Sequence, residues 1–99
     1  MRYYIVDDKI GVIKTIENII ESQDIGDVIG FETNPAKAVN EIIMKRPDIV
    51  LVDLLMPEMD GIETARQIRK RIGKEITIIV LTSYEFSEIE EEAKAAGVD

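Results

Sequence analysis

A short apolar run that ends in a carboxylate is the feature that most constrains this chain. Ile49, Val50, Leu51 and Val52 directly precede Asp53. A continuous run of this kind is typical of a strand that is buried on both faces of a sheet. A charged side chain at the end of a buried strand is costly unless other groups compensate its charge. The run therefore predicts a central strand with a polar site at its end.

The rest of the sequence alternates β-rich runs with helical periodicity. Strands are predicted at residues 3–7, 27–31, 48–53 and 75–82, and helices at 10–22, 33–46, 61–71 and 87–97. Helix starts are indicated by Thr33 or Asn34 with Pro35, and by a capping box of Ser87 and Glu90. Short loops between alternating elements predict right-handed crossovers and a doubly wound α/β fold, a parallel sheet with helices on both faces.

Composition limits the function classes. The 99 residues are enough for one domain, and a net charge of −8 argues against direct contact with nucleic acid. The absence of histidine and cysteine excludes imidazole and thiolate chemistry. No apolar run is long enough to span a membrane, and Met1 leads directly into "RYYIVDD" without a cleavable apolar segment, so we expect a cytoplasmic protein.

Polar side chains follow three of the predicted strands. Asp7 and Asp8 end the first strand, Asp53 ends the third, and Thr82 and Ser83 end the fourth. Parallel sheets bind ligands outside the carboxyl ends of their strands, so these residues are expected to share one crevice. Carboxylates in close contact repel, and Mg²⁺ with oxygen ligands would relieve that repulsion. A carboxylate can also be a nucleophile toward phosphorus, which makes a Mg²⁺-dependent phosphoacceptor one interpretation.

Each of these features also has a purely structural explanation. Two adjacent aspartates are frequent at turns and helix N-termini, and Asp53 alone could be a cap. Thr82 could be an ordinary strand residue. The loop "MPEMDG" could be only a turn, with Asp60 capping the next helix. Their coincidence at successive strand ends favours the functional interpretation.

Three segments together resemble a known family. "IVDD", "VDLLMPEMDGIE" and "IIVLTSYE", in this order and spacing, are similar to the receiver domain of two-component response regulators. The resemblance implies a flavodoxin-like (CheY-like) sheet of strand order 2-1-3-4-5, of which this chain would form 2-1-3-4. It also implies a sensor histidine kinase or phosphotransfer protein as the partner.

Some matching positions imply an acceptor and a metal site. Asp53 corresponds to the phosphoacceptor, and Asp8 to the direct Mg²⁺ ligand with Asp7 beside it. Leu55 would supply a backbone carbonyl to the metal, which leaves its side chain free to vary.

Other matching positions imply a switch and a supporting loop. Thr82 corresponds to the switch hydroxyl and Ser83 to the small residue next to it. Pro57 and Gly61 would shape the loop that supports the acceptor.

The sequence departs from the family pattern near its end. Receiver domains carry a lysine at the end of a fifth strand, but this sequence ends at "AAGVD", where that strand should begin. Residues 1–99 are therefore expected to be a receiver domain that lacks the fifth strand and helix. We expect weakened phosphoryl transfer, and a homodimer or domain-swapped oligomer formed through the exposed fourth strand.

Two other functions were weighed against the phosphoacceptor. The absent lysine favours an interaction module that keeps the fold but does not switch, whereas the intact acidic residues argue against it. A phosphohydrolase would need a second acid two residues after the nucleophile, and Leu55 occupies that position. The chain is therefore expected to be a regulatory domain and not an enzyme.

Overall fold

The computed structural model describes residues 1–81 and 90–99, which form four parallel strands and four helices. The elements follow the order β1 (Arg2–Val6), α1 (Ile10–Ser22), β2 (Asp27–Glu32), α2 (Pro35–Lys45), β3 (Ile49–Asp53), α3 (Gly61–Ile72), β4 (Thr77–Leu81) and α4 (Glu90–Ala96). The sheet order is β2-β1-β3-β4, as predicted. The main difference is β4, which begins at Thr77 and not at residue 75.

The sheet has one fully buried face and one face that is less completely covered. Tyr4, Val6, Val50, Val52 and Ile78 pack with α2 and α3 and have no exposed surface. On the opposite face, a smaller cluster consists of Ile5 of β1 with Ile13 and Ile20 of α1.

The burial of β3 on the less covered face differs from the prediction. The sequence predicted burial of its apolar run on both sides, but Ile49 and Leu51 are only partly buried. On the same side of the molecule, α1 leaves Ile10 and Ile19 about half exposed, and Ile79 of β4 is also exposed. Among the described residues, α1 therefore covers this face incompletely.

Two of the predicted helix starts are explained by their caps. The Asn34 side chain accepts a hydrogen bond from the Lys37 N–H at 3.1 Å, with Pro35 in the first turn of α2. The Asp60 side chain accepts from the Glu63 N–H at 2.8 Å at the start of α3. Each cap satisfies a backbone donor that the helix itself leaves free. The predicted capping box at Ser87 lies outside the described residues.

Arg69 of α3 joins the end of the described chain to the sheet. Its side chain is 13% exposed, and its guanidinium donates to the carbonyl oxygens of Gly73, Ile76 and Gly97, and to the Asp99 carboxylate. Asp99 in turn exchanges two hydrogen bonds with Ile78 of β4: its N–H donates to the Ile78 carbonyl and its carboxylate accepts from the Ile78 N–H. The end of α4 is thereby fixed against the outer edge of β4.

No helix in the described parts of the chain is long and apolar enough to cross a membrane.

We predict that Arg69→Met lowers the free energy of unfolding by roughly 2–4 kcal/mol, because several partly buried acceptors lose a charged donor. The matched variant Arg71→Met removes one exposed hydrogen bond to Asn40 and should cost less than about 1 kcal/mol. Urea unfolding followed by circular dichroism measures both. Equal losses in the two variants would contradict the structural role assigned to Arg69.

Candidate acidic site at the carboxyl edge of the sheet

Parallel pairing of β1 with β3 positions the acidic residues. Val6 of β1 lies opposite Val52 of β3 in the register. The next residues are Asp7 and Asp53, so both leave the sheet at the same edge and on adjacent strands. Asp7 follows the last residue of β1, whereas Asp53 is itself the last residue of β3.

Three carboxylates meet at this edge. Asp7, Asp8 and Asp53 each offer one oxygen, and these oxygens lie within 4.8 Å of one another. Asp7 is only 4% exposed, whereas Asp8 and Asp53 are partly open to solvent. The structure thus brings together the three acidic residues that the sequence placed in one crevice.

Burial and mutual repulsion determine the electrostatics of the site. Burial raises the pKa of the Asp7 carboxyl, and the nearby Asp53 charge raises it further. The Lys9 N–H opposes this shift by donating to Asp7 Oδ1 at 2.8 Å. The charged form of Asp7 is therefore unfavourable in the folded protein without additional positive charge.

Lys9 supplies part of that positive charge. Its ammonium lies 3.1 Å from Asp8 Oδ1 and 3.6 Å from Asp53 Oδ2. The hydrogen bond to the Asp8 carboxylate raises the pKa of Lys9, which keeps the side chain charged. Lys9 was not among the predicted site residues, because the family pattern places the lysine of the site at the end of a fifth strand. Its position directly after Asp8 was the available signal.

The donor set fits a hard divalent cation. Three carboxylates at one sheet edge provide oxygen ligands, and Mg²⁺ prefers carboxylate and water oxygens. Burial raises the pKa of Asp7 and the Asp53 charge adds to that shift, so a cation bound here would favour the charged form of Asp7.

The loop after Asp53 is packed tightly against the end of β3. The Gly61 N–H donates to the Leu54 carbonyl at 2.9 Å, and the Leu54 N–H donates to the Leu81 carbonyl at 2.9 Å. A Cβ atom at Gly61 would clash with the Asp53 carbonyl oxygen and approach Leu54 Cα to 2.9 Å. Glycine is therefore needed here for close contact between α3 and the end of β3.

Pro57, which the sequence also assigned to this loop, lies between β3 and α3. Pro57 accepts a hydrogen bond from the Met59 N–H at 2.8 Å, inside the turn between β3 and α3. Glu58 has a left-handed backbone with φ of 71°, which tightens the turn. The Leu55 side chain is half exposed. Thr82 and Ser83 lie outside the described residues.

A protein-family model for the response regulator receiver domain matches residues 4–99. The transcriptional regulatory protein GlnL of Bacillus subtilis is 35% identical over 100 residues, which cover all of this chain and 31% of that protein. A protein-glutamate methylesterase/protein-glutamine glutaminase of Nocardioides sp. is 33% identical over 99 residues, covering all of this chain and 25% of that protein. The chain thus spans a third or less of the length of these curated relatives.

A solved structure shows the same architecture with a metal ion. The receiver domain of the sensor histidine kinase PA1611 from Pseudomonas aeruginosa, described with a magnesium ion coordinated in its active-site cleft, is 26% identical. It superimposes with a TM-score of 0.83, over 99% of this chain and 80% of that one.

The sheet order, the acidic edge and the family match define a CheY-like signalling domain of the flavodoxin-like type. The chain belongs to the response regulator receiver family of two-component systems. The resemblance found in the three sequence segments is confirmed.

Gly61→Ala should lower the free energy of unfolding by roughly 2 kcal/mol or more, because the added methyl group meets backbone atoms that cannot move independently. Gly11→Ala is the matched control. Nothing lies within 4 Å of the position that a Cβ atom would take there, and alanine in α1 should raise the free energy of unfolding by about 0.5–1 kcal/mol. Chemical denaturation of both variants measures the two effects. A neutral Gly61→Ala would contradict the tight packing of the loop.

The raised pKa of Asp7 gives a pH prediction for the metal-free protein. The stability linked to Asp7 is fully present below the unfolded value of 3.8 and is lost as the pH rises through the higher folded pKa. Asp7→Asn removes this loss and should raise the free energy of unfolding at pH 7 by roughly 1–2 kcal/mol. Two unit charges 4 Å apart interact by about 4 kcal/mol at an effective dielectric constant near 20, and Lys9 offsets part of that repulsion.

Unfolding free energies of the parent and Asp7→Asn, measured in a chelator between pH 4 and pH 8, test this prediction. The difference between the two should grow with pH. A difference that is independent of pH would contradict the raised pKa of Asp7.

Proposed function

We propose that this chain is a phosphoacceptor signalling domain that takes a phosphoryl group from a sensor histidine kinase, or from a phosphotransfer protein, onto Asp53 with Mg²⁺. The observation that carries the proposal is the meeting of Asp7, Asp8 and Asp53 at one sheet edge in a member of the receiver family. The product stays bound to the protein, so the role is regulatory and not that of an enzyme with turnover of a separate substrate.

Asp53 suits the role of the nucleophile. Its side chain is 16% exposed, which leaves a carboxylate oxygen accessible, and its backbone is held by pairing with β4. In the proposed transfer, an Asp53 oxygen forms a bond to phosphorus as the bond from phosphorus to the donor imidazole nitrogen breaks. The imidazole leaves with the electrons of that bond, and Asp53 becomes an aspartyl-phosphate.

The residues that would hold Mg²⁺ are Asp7, Asp8, Asp53 and the backbone carbonyl of Leu55. An ion bound there would supply positive charge to offset the charge on the phosphoryl oxygens. The three carboxylates support this assignment because their oxygens lie close together and because burial raises the pKa of Asp7. The magnesium ion described for the related PA1611 receiver supports the choice of metal.

Further roles follow from the same proposal. Thr82 would hydrogen-bond a phosphoryl oxygen, and Ser83 would leave room for that group. Pro57 and Gly61 would keep the loop beneath the acceptor rigid, which the close approach of Gly61 to Asp53 supports. Phosphorylation would then shift a two-state equilibrium that a partner protein recognises. Such a pathway places the domain in the cytoplasm. The predicted dimer through the fourth strand has no support from the relatives.

Intact-mass spectrometry after incubation with Mg²⁺ and acetyl phosphate tests the proposal. The parent protein should gain one phosphoryl group, and Asp53→Asn should gain none because an amide lacks the nucleophilic oxygen. Asp27→Asn, with the same loss of charge away from the site, should be modified like the parent. Chelation of Mg²⁺ should abolish the adduct.

A folded parent with no adduct would contradict the phosphoacceptor and favour the interaction module. An adduct that persists in Asp53→Asn would place the acceptor elsewhere. The signal from circular dichroism establishes in each case that the variant is folded.

A further inference from the structure

The side chain of Lys9 spans two of the three carboxylates at the sheet edge. Its ammonium contacts Asp8 Oδ1 at 3.1 Å and lies 3.6 Å from Asp53 Oδ2. Its own backbone N–H donates to Asp7 Oδ1 at 2.8 Å. One residue therefore contacts all three acidic side chains, two through its ammonium and one through its backbone.

The ammonium and a divalent cation would compete for the same oxygens. Mg²⁺ binds oxygen ligands at about 2.0–2.1 Å and requires their lone pairs, some of which the Lys9 ammonium already engages. Two positive charges within a few ångströms of each other also repel strongly. The two cations are therefore not expected to occupy the cluster together.

Lys9 can leave the cluster without disrupting the fold. Its side chain is 62% exposed, and it belongs to the loop between β1 and α1. The long aliphatic stem allows the ammonium to move into solvent while the backbone N–H keeps its hydrogen bond to Asp7. No buried contact of the described core depends on its ammonium.

We propose that Lys9 is a tethered cation that occupies the acidic site in the metal-free protein and is displaced when Mg²⁺ binds. This inference rests on the proposed Mg²⁺-dependent function. It gives Lys9 two opposite effects: the ammonium stabilises the metal-free fold by offsetting carboxylate repulsion, and it weakens Mg²⁺ binding by competition. The lysine would thus set the Mg²⁺ concentration at which the domain becomes competent for phosphorylation.

Calorimetric titration with MgCl₂ tests the competition. Lys9→Met keeps the aliphatic stem but removes the charge, and it should bind Mg²⁺ about 1.5- to fivefold more tightly than the parent, the range set by loss of a solvent-exposed ion pair. Lys9→Arg should retain weak binding because the charge remains. Lys14→Met is the matched control, because it changes the net charge by the same amount and Lys14 pairs with Glu17 on α1, away from the acidic site.

Thermal unfolding gives a second readout. Without metal, Lys9→Met should melt below the parent, and saturating Mg²⁺ should remove that deficit because the ion takes over the compensation of charge. Any deficit of Lys14→Met should persist in saturating Mg²⁺, since its ion pair lies outside the site.

The outcomes separate the inference from the proposed function. Mg²⁺ binding by the parent, with equal affinities for Lys9→Met and Lys14→Met, would overturn the inference alone. Weaker binding by Lys9→Met would also overturn it, because the lysine would then assist the metal. Binding by Lys9→Met but not by the parent would support it. No binding by either protein would overturn the metal site and the inference with it.

Discussion

Three carboxylates meet at one edge of this sheet, and the rest of the site depends on how their mutual repulsion is offset. Parallel pairing of β1 with β3 puts Asp7 and Asp53 side by side, and Asp8 follows immediately. The repulsion is balanced by the apolar core on the far side of the strands, by the backbone N–H and ammonium of Lys9, and, in the proposed function, by a divalent cation. A site that is unfavourable alone is therefore well prepared to bind positive charge.

Asp53, the proposed acceptor, follows a buried part of β3, and its side chain is open to solvent. Val50 and Val52 have no exposed surface, and Asp53 continues the same strand to a point where solvent can reach its carboxylate. Tight packing at Gly61 and the cap at Asp60 fix the loop on one side. This arrangement limits motion of the Asp53 backbone while leaving its carboxylate open to solvent, which suits the proposed transfer of a phosphoryl group to Asp53.

The strongest sequence signals were those governed by local rules. The alternation of strands and helices and the caps at Asn34 and Asp60 follow from periodicity and capping chemistry, whereas the strand order was implied by the family resemblance. The convergence of Asp7, Asp8 and Asp53 followed from one topological rule, that parallel strands end at a common edge.

Features that depend on tertiary packing could not be predicted in this way. The ammonium of Lys9 reaches the site through a long, flexible side chain whose direction no periodicity determines. The contacts of Arg69 require the loop between α3 and β4 and the residues that follow α4 to converge on α3. The partial exposure of β3 on one face depends on how much of that face α1 covers, which the apolar run itself does not encode.

The contact at Gly61 also restricts how a signal can leave the site. Because the first residue of α3 lies against the Asp53 carbonyl, the helix start and the acceptor backbone must move as one body. A rearrangement triggered at Asp53 cannot be absorbed by sliding α3 along β3. A displacement of the Asp53 backbone would therefore be passed directly to the start of α3, and a change in the position of this helix would report it.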